Sequence, residues 1–183
     1  MAHEKSAGIR YAAFLRGINV GGNKKVPMAD LKKMCESLKF TAVKTIIASG
    51  NVVFTVDESD PSTLRHSIEK AIVRHFGFEV TVMIRTVDEL REMTKRDPFG
   101  VKADDITMLY VGFMNKPPAA DKAKALHAMN YDIETFDVRG AEVFAIRRMP
   151  GERPKKLVIE SMEKILGEPV TVRNWNTIQK MIV

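Results

Sequence analysis

Ninety residues apart, two stretches of this chain carry the same punctuation. Gly50 is matched by Gly140, Val53 and Phe54 by Val143 and Phe144, and Gly77 by Gly167. Val80, Thr81 and Val82 are matched by Val170, Thr171 and Val172. Turn glycines, apolar strand residues and helix stops that recur at one offset mark an internal repeat. Each half must then be a small folded unit. A length of 183 residues suits one large domain or two small ones.

The order of elements within each half fixes the fold class. An apolar run over Ile9–Arg16 predicts a buried strand. Pro27 suits the first turn of a helix, and Leu31, Met34, Cys35 and Leu38 follow at the spacing of one buried face. Val43–Ala48 and Asn51–Val56 read as a hairpin about Ser49 and Gly50. A second helix with Leu64, Ile68, Ala71, Ile72 and Phe76 inward stops at Gly77, and Glu79–Ile84 alternates as a fourth strand. A short helix over Thr86–Lys95 completes the half. The same order is expected again: Ile106–Phe113, a helix over Ala119–Met129, a hairpin of Ile133–Val138 and Glu142–Arg147, a helix over Lys155–Leu166, Val170–Arg173, and a last helix over Trp175–Ile182. The expectation is an α+β protein of two tandem ferredoxin-like (βαββαβ) subdomains with antiparallel sheets, each followed by a helix. The subdomains are 1–95 and 106–183, with 96–105 as a linker rich in Asp, Pro and Gly.

Composition narrows the function classes. Apolar runs are far short of a membrane span, and the first residues have no apolar segment of signal-peptide type. One cysteine excludes an intrachain disulfide and a Cys-rich zinc site. These features point to the cytoplasm. A net charge of +6 favours acidic partners such as phosphorylated metabolites or nucleic acid.

The chemistry-bearing stretch is Arg16 to Lys25, where the first strand runs into a glycine- and amide-rich basic turn that feeds a helix. Such a turn suits an anion held by backbone N–H groups and the helix dipole. In the expected topology the first and second strands are parallel, so the end of the first lies beside the turn between the second and third. The candidate ligand-binding set is therefore Arg16, Asn19, Gly21, Gly22, Asn23 and Lys24, with Lys25 adding charge, opposite Ser49, Gly50 and Asn51. The alternative is that the glycines shape the turn while Asn19 and Asn51 satisfy loop carbonyls. The spacing is neither a Walker loop nor a dinucleotide fingerprint.

A second basic group is expected at the opposite edge of the second subdomain: Arg147, Arg148, Lys156 and Arg173, with Asn174 and Trp175, and Arg153 and Lys155 nearby. It offers a nucleic-acid reading. Strand residues Ala141, Val143 and Ile146 stand where an RNA-recognition sheet carries aromatics, so any such contact would be electrostatic. The histidines His3, His66, His75 and His127 have no ligand spacing, Cys35 falls on a buried helix face, and no catalytic acid, base or nucleophile is assigned. No motif names a cofactor or an oligomeric state.

Tyr11 to Gly22, Val26 to Leu31, Ala48 to Phe54 and Thr171 to Thr177 resemble the bacterial family called domain of unknown function 1697. These blocks span nearly the whole chain. The resemblance implies a soluble cytoplasmic α+β protein and carries no established activity. It falls on Arg16, Asn19, Gly21, Gly22, Ser49, Gly50 and Asn51, and on Lys156, Arg173, Asn174 and Trp175. Relatives often have Gln where Ala48 stands. The functional expectation is a small anionic ligand, a phosphorylated metabolite or nucleotide, at the two turns of the first subdomain. The alternatives are a nucleic-acid-binding module and a self-associating or partner-binding scaffold.

Overall fold

The computed structural model describes residues 8–22, 24–57, 59–129, 133–149 and 161–183. The chain divides into two compact units, Met1–Glu92 with Lys180–Val183, and Met93–Gln179. The first holds β1 (Ile9–Leu15), α1 (Met28–Ser37), β2 (Thr41–Ile46), β3 (Asn51–Val56), α2 (Pro61–Phe76), β4 (Val82–Thr86) and most of α3 (Val87–Lys95). The second holds β5 (Thr107–Phe113), α4 (Ala120–His127), β6 (Glu134–Arg139), β7 (Glu142–Arg148), α5 (Met162–Leu166), β8 (Thr171–Asn174) and most of α6 (Trp175–Met181). Strand orders are β2-β3-β1-β4 and β6-β7-β5-β8, with every neighbouring pair antiparallel. These are two tandem ferredoxin-like plaits.

Local chemistry explains the elements. Asp60 caps α2 by accepting the Thr63 N–H at 3.0 Å, Pro61 presets its first turn, and Gly77 closes it in a left-handed conformation. Helix α1 starts at Pro27 with no side-chain cap. Between helices and sheet in the first unit lie Tyr11, Ala13, Leu15, Leu31, Cys35, Val52, Phe54, Ile68, Ile72 and Val82. The rings of Phe40 and Phe54 stack there at 4.2 Å. By strand alternation Ala12, Phe14, Val53 and Met83 point to the other face, and they are fully buried too.

The two units correspond by topology; Gly77 and Gly167 both close a helix in the left-handed conformation, while the ninety-residue matches in the hairpin fall one residue out of register. The Leu15 N–H donates to the Gly50 carbonyl, and the same bond in the second unit runs from the Met114 N–H to Ala141, not Gly140. A one-residue slip reverses every side chain. Phe54 accordingly faces the helices of the first unit, while Val143 does so in the second and Phe144 meets Phe99 edge-on. Residues 96–105 contain no helix or strand, yet they pack within the second unit. Phe99 is buried against Phe144 and Trp175, and Asp104 accepts the N–H groups of Ile106 and Thr107.

Candidate functional site

Strand β1 ends where Gly17 turns the chain with φ 68°. Three contacts then gather the expected rim of the first unit. Leu15 N–H donates to Gly50 O at 2.8 Å, Arg16 N–H donates to Thr81 O at 2.9 Å, and Asn19 Nδ2 donates to Ala48 O at 2.8 Å. The turn after β1, the β2–β3 turn and the entry to β4 therefore meet at one edge.

At this rim the asparagines are structural clamps. Asn19 has φ 55°; its Nδ2 also donates to Val26 O, and its Oδ1 accepts the N–H of buried Val26. Its two amide hydrogens and its oxygen thus bind three loop groups. Asn51 is fully buried, and its Nδ2 donates to Ile46 O and to Ser49 Oγ. Gly50 has φ 78°, and a Cβ there would stand 2.7 Å from Ile18 Cδ1 and 2.9 Å from Leu15 Cβ. Gly21 and Gly22 also have positive φ, with open space where a Cβ would be. Asn23 lies outside the described residues.

The cleft at this rim opens on the other side of the β1–α1 turn from Ser49 and Asn51. It has a volume of about 690 Å³ and is lined by Arg16, Lys24, Lys70 and Arg74, by Glu69 and Glu79, and by Val73, Val80 and Thr81. Arg16 is half-buried, held through its own N–H on Thr81, while Lys70 and Arg74 are exposed one turn apart on α2. Lys24 Nζ donates to Glu79 O at 2.7 Å and lies 5.9 Å from the centre of the Phe78 ring. Glu69 accepts the Val82 N–H, which fixes one of its oxygens. Of the residues expected from the sequence, Arg16 and Lys24 line the cleft, while Asn19, Ser49 and Asn51 do not. Lys70 and Arg74 were not anticipated. The signal for them was topological: α2 ends where β4 begins, so a basic pair four residues apart in its last turns faces that same rim.

Among the described residues, the basic side chains expected to cluster in the second unit are dispersed. Register puts Arg147 opposite Met108 and Arg148 opposite Thr107, so the two project from opposite faces of the sheet. Arg147 Nε lies 3.4 Å from Glu134 Oε1 as an ion contact without hydrogen-bond alignment, and its guanidinium lies 5.2 Å from the centre of the Tyr110 ring. Arg148 is half-buried. Arg173 is buried and donates to Thr171 Oγ1 and Val172 O; burial pushes its guanidinium pKa down to about 10. Asn174 Oδ1 accepts the Asn176 N–H and starts α6, and Trp175 packs edge-on against Phe99 at 5.0 Å. Arg153, Lys155 and Lys156 lie outside the described residues.

Other chemistry is sparse. Cys35 is buried, and desolvation, with a smaller push from Glu36, raises its thiol pKa to about 12. Among the described residues no group of three or more His, Cys, Asp and Glu could hold a metal ion. Among the same residues no helix is long and apolar enough to cross a membrane.

Fold and rim together define a class: paired ferredoxin-like plaits whose first unit carries an open basic cleft beside the end of its first strand. Residues 9–144 match the family described as Protein of unknown function (DUF1697), and the chain belongs to that family. It is similar along 96% of its length to a solved structure, the conserved bacterial protein SP0830 from Streptococcus pneumoniae. That likeness has a TM-score of 0.72 and 25% identity, and covers 97% of the other chain. No curated protein matches the sequence.

Proposed function

We propose that the first unit binds a small anionic ligand, a phosphorylated metabolite or nucleotide, in the cleft lined by Arg16, Lys24, Lys70 and Arg74. The observation that carries this reading is the convergence of four cations from two segments, the β1–α1 turn and α2, on one open cleft of about 690 Å³. That volume falls within the range of small-molecule sites. Arg16 and Arg74 supply planar forks suited to two oxygens of a phosphate, and Lys24 and Lys70 supply point charges. Lys24 is exposed, so exchanging its carbonyl partner for a phosphate oxygen costs little desolvation.

The turn residues support the site from behind. Asn19 ties the β1–α1 turn to Ala48, Asn51 braces the β2–β3 turn through Ser49 and Ile46, and Gly21, Gly22 and Gly50 take the left-handed conformations of these turns. Arg147 and Arg173 of the second unit are read as structural, because Arg147 is committed to Glu134 and Tyr110, and Arg173 is buried.

The test is calorimetric titration with inorganic phosphate and with adenosine monophosphate at fixed ionic strength. Saturable binding that Arg74→Ala and Lys70→Ala each weaken by about tenfold is expected, the worth of one charge-assisted contact. Heats indistinguishable from dilution, or binding untouched by both variants, would defeat the reading. A shift of RNA at low salt that survives both variants would favour the nucleic-acid alternative instead.

A further inference from the structure

We infer that the ligand of this cleft is a phosphate monoester of a hydroxylated carbon skeleton, a sugar phosphate or nucleoside monophosphate, rather than a polyphosphate. The inference rests on the proposed anion site and adds what the acidic and apolar parts of its lining select. Four cationic and two anionic side chains leave the lining a surplus of two positive charges. A phosphate monoester carries about 1.5 to 2 negative charges at neutral pH and matches that surplus. A triphosphate exceeds it, and its outer groups would meet Glu69 or Glu79.

The carboxylates also have a positive use. Ionised carboxylates only accept hydrogen bonds, so they favour a ligand that offers hydroxyl donors. Glu69 has one oxygen fixed by the Val82 N–H. The backbone of Glu79 is pinned by Lys24, which sets the root of its side chain in the cleft wall. Acidic residues accept from ribose hydroxyls in the same manner in dinucleotide sites. Val73, which is 46% exposed, and buried Val80 give the same cleft an apolar strip for a carbon skeleton.

The experiment compares inorganic phosphate, ribose 5-phosphate and adenosine triphosphate on the full chain, wild type and Glu79→Gln, each variant checked by its thermal melt. Wild type is expected to bind ribose 5-phosphate about tenfold more tightly than inorganic phosphate, and triphosphate no better than ribose 5-phosphate. Glu79→Gln removes both a repulsion and an acceptor. It should strengthen inorganic phosphate while narrowing the ribose 5-phosphate advantage to less than about threefold. Equal affinity for the two phosphates, or a Glu79→Gln change that strengthens both alike, overturns this inference and leaves the anion site standing. Failure of all three probes overturns both. Glu69→Gln is the second variant, read in the same way.

Discussion

Removing the Asn19 side chain tests how the rim is held. Asn19→Ala deletes two donated hydrogen bonds, to Val26 O at 2.9 Å and Ala48 O at 2.8 Å, and takes the acceptor from the N–H of Val26. The donated bonds contribute about 1 kcal/mol each, and an orphaned buried N–H costs about 1–3 kcal/mol. Alanine at a φ of 55° costs about 1 kcal/mol more. Asn19 is exposed, so water restores part of the loss, and about 2–4 kcal/mol remains. Asn19→Gly keeps the left-handed backbone without strain and should be milder than Asn19→Ala by about 0.5–1 kcal/mol. The assay uses the single cysteine, Cys35 in the first unit, as a local reporter. Its urea-dependent reaction with a thiol reagent follows that unit, while the fluorescence of the single tryptophan, Trp175, follows the second. The Cys35 transition should move to lower urea by about 1–2 M if the slope is near 2 kcal/mol/M. A Cys35 transition within about 0.5 kcal/mol of wild type would refute the clamp.

Gly50→Ala should cost about 2 kcal/mol by urea denaturation, since a Cβ at φ 78° meets buried Ile18 at 2.7 Å and the Leu15 Cβ at 2.9 Å. Native Cys35 should resist thiol reagents at pH 8. Because its folded pKa of about 12 lies above the unfolded value, stability should fall by about 1.4 kcal/mol per pH unit between about pH 9 and 12, and Cys35→Ala should remove that component of the slope. The N–H of Ile106 first, then the hydroxyl and N–H of Thr107, hold the Asp104 carboxyl below the usual aspartate range. Its stabilisation is present above the unfolded pKa and is lost as pH falls through the folded one, so Asp104→Asn should flatten the acid limb of a stability–pH curve. Glu134→Ala should destabilise the second unit by about 3–5 kcal/mol, measured by Trp175 fluorescence in urea, because it strands a mostly buried Arg147.

The fold was legible because its information is local and periodic. Strand β3 runs over Asn51–Val56 as the hairpin about Ser49 and Gly50 indicates, and α2 lies between its Asp60 cap and Gly77. Other boundaries were set by pairing. The alternation of Glu79–Ile84 predicts a strand there, but β4 is Val82–Thr86, because β1 stops at Leu15 and its register pairs Leu15 with Val82 and Tyr11 with Thr86. The three residues left out, Glu79, Val80 and Thr81, became cleft wall instead. The sequence predicts β2 through Ala48, and the strand ends at Ile46, because Ile47 adopts φ 51°, a conformation no local pattern announces for a β-branched residue. The helix read from Lys155 is described over Met162–Leu166.

The candidate site was half legible. Topology brought the β1–α1 turn to the β2–β3 turn, and Arg16 and Lys24 do line a cleft. The polar residue types at the turns could not reveal their partners. Asn19 and Asn51 read equally well as ligand donors and as satisfiers of loop carbonyls, and both amides donate to loop carbonyls here. Lys70 and Arg74 sit on the solvent side of an amphipathic helix, where sequence alone shows only a charged face.

The cleft itself is best tested by following backbone amide resonances while inorganic phosphate is titrated at constant ionic strength. A saturable change confined to Arg16, Lys24, Lys70, Arg74, Val80 and Thr81, absent in Arg74→Ala, is the expected result. Shifts scattered over both units and linear in concentration, or centred on Arg147 and Arg173, would contradict it.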